Sequence, residues 1–244
     1  MRYIAKPNNS VARSLLTKAK EEMSKAGISL IYDHFNDKEE LNNELRKEQK
    51  CICCYCQQRI EHFQGNNNTG SHNEHFFPEH HPLYKDKQLE YENIFACCNR
   101  TKGLAKRFQH CGEYKADVVI GTNLLLDADC SQHFKYNSNG EILPNCSMSS
   151  YEEVLANRAI LTDIQNKALA MIEGLNLNED NLKKRRKSII DDIFASAETL
   201  TIDRMQHKIQ VFHNEPNEYV EFVDMIIYYL HYLINVKQHK PIRL

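Results

Sequence analysis

The chain has 244 residues, 41% of them apolar and 26% charged, so it can bury a core and is not a disordered tail. A formal charge of −2 excludes a uniformly basic nucleic-acid coat and leaves room only for local phosphate-binding patches. Eight glycines, six prolines and no tryptophan are a poor composition for an all-β sandwich and a good one for long helices, so a mainly α protein is expected.

In chain order, residues 11–25 place Val11, Leu15, Leu16, Ala19 and Met23 on one helical face, with Ser10 as N-cap and Gly27 just past the end. A second helix is predicted from an Asp37 cap, with Glu40 reaching back in a capping box, to about Gln49. It delivers the chain to CICCYC at 51–56. GNNNTGS at 65–71 reads as a loop, followed by HNEHFFP and a polar, His-rich stretch to about Tyr84. Past VVIGTNLLL at 118–126, FKYNSNGEILP at 134–144 carries Asn139-Gly140, which suits a hairpin turn between short strands.

After Pro144 the pattern turns to successive helices, opened by Ser149 and Ser150 ahead of Glu152 and Glu153. One apolar stripe runs through Val154, Leu155, Leu161, Ile164 and Ile172, and a second through Ile189, Ile190, Ile193 and Phe194. A third takes in Tyr219, Phe222, Val223, Ile226, Leu230 and Leu233. Three segments are therefore expected: a helical N-terminal arm over 1–50, a metal-framed module over 51–146 and a helical C-terminal half over 147–244. The most apolar run, Tyr219 to Val236, contains Glu221, Asp224, His231 and Asn235, which reads as a core helix and not a membrane span. MRYIAKPNNS lacks the apolar stretch of a signal peptide, so a cytoplasmic location is expected.

Nine cysteines in a reducing compartment are an unpromising disulfide set, and their clustering points to a metal. CICCYC offers two registers, Cys51 with Cys54 or Cys53 with Cys56. A second pair has to come from Cys97, Cys98 and Cys111. Cys97 and Cys98 are adjacent and their side chains diverge, so one of them with Cys111 is the better pair for a structural Zn²⁺. Cys130 and Cys146 read as buried singletons.

Between the two clusters lie Glu74-His75 with Pro78, then Asn93, then CCNRTKG at 97–103. This arrangement resembles the HNH, or ββα-metal, endonuclease motif over roughly residues 44–117. EQKCICCYCQQRI, EHFFP, YENIFACCNRTKG and HCGEYKAD are similar to the PtuB-like HNH endonucleases of bacterial Septu and retron anti-phage defence systems. The resemblance implies a small zinc-framed ββα-metal module in a mainly helical chain. Its implied zinc ligands are Cys53, Cys56, Cys111 and one of Cys97 and Cys98, with Cys97 taken as the fourth. It also implies that Asn93 ties a loop together and orients His75, and that the chain works beside a PtuA-like ABC-type ATPase, or in an assembly with a retron reverse transcriptase and its non-coding RNA. The C-terminal helices are the expected docking surface, and the chain has no GxxxxGK[ST] of its own.

The chemistry can be argued from the residues. A phosphodiester repels hydroxide, so hydrolysis needs a cation to neutralise charge and a base to prepare water. His75 suits the base and Glu74 supplies a hard oxygen for Mg²⁺ or Mn²⁺. Neighbours on a strand point to opposite sides, so the two can serve together only across a bend or bulge. A further ion ligand is expected at Asp117, with Asn99, which follows Cys98 and precedes Lys102, as the alternative. Arg100, Lys102, Lys106, Arg107 and Lys115 face a single acid, Glu113, within one stretch, so a phosphate-binding face is expected there. KKRRK at 183–187 reads as a solvated helix face or a second contact with nucleic acid or an acidic partner, His62, His72, His80 and His81 as surface, and His110 as an alternative zinc ligand. The expected function is a metal-dependent HNH endonuclease cutting DNA, or RNA. The rival is an inactive zinc module that binds nucleic acid or serves as an adaptor for the ATPase.

Overall fold

Helix dominates the computed structural model, which describes residues 1–63 and 70–239; of the loop expected over 65–71, residues 65–69 lie outside the described residues. The first helix, α1 (Val11–Lys25), starts where the Ser10 hydroxyl accepts the Arg13 N–H and stops before Gly27 at φ +65°. Its buried stripe is Ala12, Leu16, Ala19 and Met23, whereas Val11 is exposed. The next helix, α2 (Lys38–Glu48), has the expected extent, but Asp37 makes no side-chain cap, so the capping box does not form.

A short antiparallel ribbon follows, formed by β1 (Ser71–His75) and β2 (Ile94–Cys98) in the register Ser71 with Cys98 through His75 with Ile94. Helix α2 packs across both strands, α1 packs on α2, and the one-turn α3 (Cys111–Lys115) packs on β2. A second hairpin, β3 (Phe134–Tyr136) with β4 (Ile142–Pro144), turns through Gly140 at φ +77°. A Cβ at Gly140 would fall on the Lys183 carbonyl, so glycine serves both the turn and the close approach of the helix behind it. Residues 118–126 hold only a 3₁₀ turn at Leu124–Leu126.

The helical half comprises α4 (Tyr151–Ala156), α5 (Asp163–Gly174), α6 (Asp180–Ala195), α7 (Ile202–Asn214) and α8 (Val223–His239). Ser150 caps α4 through the Glu153 N–H, and Glu153 answers to Ser149. Tyr219 and Phe222, expected inside the last helix, precede it, Phe222 at φ +56°. KKRRK lies on α6: Arg186 is buried against the Gly140 and Leu177 carbonyls, Lys183 and Lys187 pair with Asp180 and Asp191, and Arg185 pairs with Glu221. Among the described residues, no helix is long and apolar enough to cross a membrane.

One apolar cluster runs from Met1 through α1, α2, the ribbon and the second hairpin to α5, α6 and Tyr229 of α8, crossing positions 50 and 147. A second joins α7 and α8 to Ile52. The cysteine-rich segment is thus clamped between elements that precede and follow it in the chain.

Candidate metal centres

The first centre begins where α2 ends. Lys50, Cys51 and Gln57 take positive φ (51°, 60° and 63°), which folds the chain into a knuckle closed by Cys53 N–H to the Gln58 carbonyl and Gln57 N–H to the Cys53 carbonyl. The Cys54 N–H then anchors the knuckle to β2 through the Ala96 carbonyl. Cys111, itself at φ 60°, opens α3 and is held by its N–H on the Leu175 carbonyl.

These constraints bring the sulfurs of Cys53, Cys56, Cys98 and Cys111 within 4.8 Å of one another, all buried. Cys53 and Cys111 are 3.9 Å apart and Cys56 and Cys98 3.7 Å. A tetrahedron with Zn–S near 2.3 Å has edges of about 3.8 Å, so four thiolates here can hold an ion such as zinc. Burial pushes the Cys53 thiol up, but hydrogen bonds from Cys111, Cys54, Cys56 and Cys97 outweigh it and hold Cys53 well below its ordinary value. The fourth member is therefore Cys98 and not Cys97. Successive residues of β2 face opposite ways, and the observed register points Cys98 at Cys56. Cys97 forms a smaller buried group with Cys53 and Cys54, and its sulfur accepts the Gly112 N–H at 3.4 Å. His110 bonds the Cys111 sulfur through Nδ1 at 3.1 Å and stands beside the cluster as a partner of that sulfur.

The second centre is on the Cys97 side of the ribbon. Glu74 is buried, its Oε1 3.0 Å from Lys115 Nζ and accepting the Tyr55 hydroxyl at 3.2 Å. Burial pushes the Glu74 carboxyl up, but the Lys115 charge and then His72 outweigh it, leaving it below its ordinary value. His72, two residues earlier on the same face, places Nε2 3.3 Å from Glu74 Oε2, and its Nδ1 lies 2.6 Å from Asn99 Oδ1. Gly112 of α3 completes the wall: a Cβ there would fall on the Glu74 carboxylate and 2.9 Å from His72 Nε2.

His75 does not join this group. No bulge interrupts β1, so its ring lies on the other face, buried edge-on against Tyr32 at 4.6 Å, with Nε2 2.8 Å from the Gln88 carbonyl and Nδ1 3.6 Å from Glu79. Burial holds its pKa below the ordinary value. Asn93 braces the loop that supplies that carbonyl: Nδ2 donates to the Phe77 and Lys87 carbonyls (3.0 and 3.1 Å) and Oδ1 accepts the Phe77 N–H at 2.8 Å. Asp117 is exposed, and among the described residues no hydrogen bond or ion pair joins it to Glu74, because the chain turns outward at Ala116 (φ 46°). Asn99 is the neighbour the fold delivers, through His72.

The five basic residues divide. Lys102, Lys106 and Arg107 are exposed on the loop between Cys98 and Cys111, where Lys106 reaches back to the Tyr114 carbonyl of α3. Arg100 is spent on the Arg59 carbonyl and Glu221, and Lys115 is buried on Glu74, so neither is free for phosphate. His72, expected at the surface, stands instead against Glu74 and Asn99, and Tyr55 was not singled out from the sequence. The signal was the alternation of His72 and Glu74, which share a face once the stretch is a strand. A cavity of about 610 Å³ between Arg2, Gln57, Tyr219 and Asp224 contains neither Glu74 nor His75; in its wall Asp224 takes Arg2 at 2.9 Å and Gln57 at 2.5 Å. The chain matches no protein-family model and no curated protein.

Proposed function

We propose that this chain is a metal-dependent endonuclease of the HNH type that hydrolyses nucleic-acid phosphodiesters in anti-phage defence, beside an ABC-type ATPase of the PtuA kind. One observation carries this reading: a buried carboxylate, Glu74, stands beside His72 on a ribbon pinned by a four-cysteine cluster, bordered by a loop with exposed Lys102, Lys106 and Arg107. Zinc at Cys53, Cys56, Cys98 and Cys111 is scaffold in this reading, and Glu74 holds Mg²⁺ or Mn²⁺. When bound, that ion neutralises phosphate charge and lowers the pKa of a coordinated water. Lys115 keeps the Glu74 carboxyl ionised and turned by Oε1, and the basic loop receives the phosphate backbone. His75 stands on the other face of the ribbon, held by the Gln88 carbonyl that Asn93 braces, so in this reading it belongs to the frame and is not placed to take that water's proton.

A second reading, a non-catalytic adaptor or nucleic-acid-binding module, is favoured by the saturated contacts of His75 and by the Glu74–Lys115 pair. The deciding experiment incubates the zinc-loaded chain, with and without the ATPase partner, with plasmid DNA and RNA in Mg²⁺ or Mn²⁺. Cleavage lost in Glu74→Gln supports the nuclease. Nucleic-acid binding or partner association without cleavage under every condition overturns it.

A further inference from the structure

We infer that His72 is a second protein ligand of the divalent ion at Glu74, with Asn99 as the residue that fixes its ring. The inference rests on the reading that Glu74 holds such an ion, and adds which atoms complete the site and which cations it favours.

Three observations converge. First, the ribbon register sets His72 and Glu74 on one face, and their facing atoms, Nε2 and Oε2, are 3.3 Å apart. Two cis ligands of an octahedral ion at about 2.1 Å stand about 3.0 Å apart, so the pair has the bite of a chelate with little adjustment. Second, the outward atoms are already assigned. Asn99 Oδ1 can only accept, so at 2.6 Å it takes the hydrogen of His72 Nδ1 and leaves Nε2 turned towards Glu74. On the carboxylate, Lys115 and Tyr55 both occupy Oε1, leaving Oε2 for a cation. An imidazole whose far N–H is held by an oxygen acceptor is the usual arrangement behind a metal-bound histidine. Third, α3 stands close against both atoms only because residue 112 is glycine: a Cβ there would fall on the carboxylate and 2.9 Å from Nε2, so any other residue would push the pair apart. Solvent reaches the site from the His72 side, where the ring is 24% exposed against 9% for the Glu74 side chain, so waters can fill the remaining positions.

A mixed nitrogen and oxygen site has a chemical preference. Imidazole nitrogen is a poor partner for Mg²⁺ and a good one for first-row transition ions, so the site should take Mn²⁺ more tightly than Mg²⁺.

The test uses the zinc-loaded full chain and Mn²⁺ alone as probe, followed by paramagnetic resonance. The wild type should bind one Mn²⁺ beyond its zinc and show electron spin echo modulation from a coordinated ¹⁴N. In His72→Ala, and in the milder His72→Gln, that modulation should vanish and Mn²⁺ affinity fall at least about tenfold, with zinc content and circular dichroism unchanged. Asn99→Ala should weaken binding but keep the nitrogen signal. Mn²⁺ bound without nitrogen coupling, or bound equally well by both His72 variants, overturns the role of His72 and leaves the ion at Glu74 standing. No Mn²⁺ binding beyond zinc, or undiminished binding in Glu74→Gln, overturns the reading on which the inference rests and His72's role with it.

Discussion

The two faces of the β1–β2 ribbon are made from alternate residues of the same ten, yet they do different work. One face carries His72, Glu74, Cys97 and Phe95, looks onto α3, and gathers Lys115, Tyr55 and Asn99 around a carboxylate. The other carries Ser71, Asn73, His75 and Cys98, and its polar groups are bound to the frame: Ser71 and Asn73 to Asn42, Asn73 also to Tyr32 and the Lys38 carbonyl, and His75 to the Gln88 carbonyl. Saturated hydrogen bonds hold a backbone in place, whereas a carboxylate with one oxygen engaged by a cation and the other facing an imidazole nitrogen is a donor set that can bind. The contrast assigns construction to one face and chemistry to the other.

Four experiments would break or sharpen that contrast. The largest effect falls on the adjacent cysteines: Cys98→Ser should lose zinc and the native circular dichroism, while Cys97→Ser should keep one zinc per chain by elemental analysis. Equal losses in both would undo the division at β2. Next, Glu74→Gln should lower cleavage at least about 10²-fold and destabilise the fold by about 3–5 kcal/mol, because Lys115 is left buried without its partner. Adding Lys115→Met should restore the melting temperature without restoring cleavage, and a double variant that cuts DNA would show that the carboxylate is not the ion's ligand.

Asn93→Ala comes third, at about 2–3 kcal/mol in urea unfolding, since it strands the Phe77 N–H and two carbonyls. A variant with unchanged stability would refute the bracing role. The smallest effect is a pH dependence. His75 titrates at 6.5 when unfolded and lower when folded, because burial disfavours the imidazolium, so its contribution is present above pH 6.5 and lost as pH falls through that value. The urea midpoint should therefore fall more between pH 7 and 5.5 in the wild type than in His75→Gln, and parallel curves would mean that His75 is not held neutral by its face of the ribbon.

Several features were legible from local pattern. Ser10 and Ser150 cap helices as their spacing foretold, Gly27 and Gly140 take the positive φ that the turns require, and Cys53, Cys56 and Cys111 meet in one cluster. What local pattern missed does not share one cause. Arg100 and Lys115 are drawn into ion pairs by Glu221 and Glu74, residues distant in sequence, whereas Asp117 turns outward at the positive φ of Ala116 and Asp37 makes no cap.

Composition, periodicity and cysteine clustering by themselves determined a helical protein with a thiolate knuckle and an acidic-imidazole strand, because these depend on intervals of one to four residues. Which cysteine of an adjacent pair closes the cluster, which histidine accompanies Glu74, and which cation neutralises it were decided only in three dimensions. Those choices hang on the pairing of residues 71–75 with 94–98 and on the anchoring of Cys111 to Leu175, and a shift of one residue in the strand register would exchange every one of them.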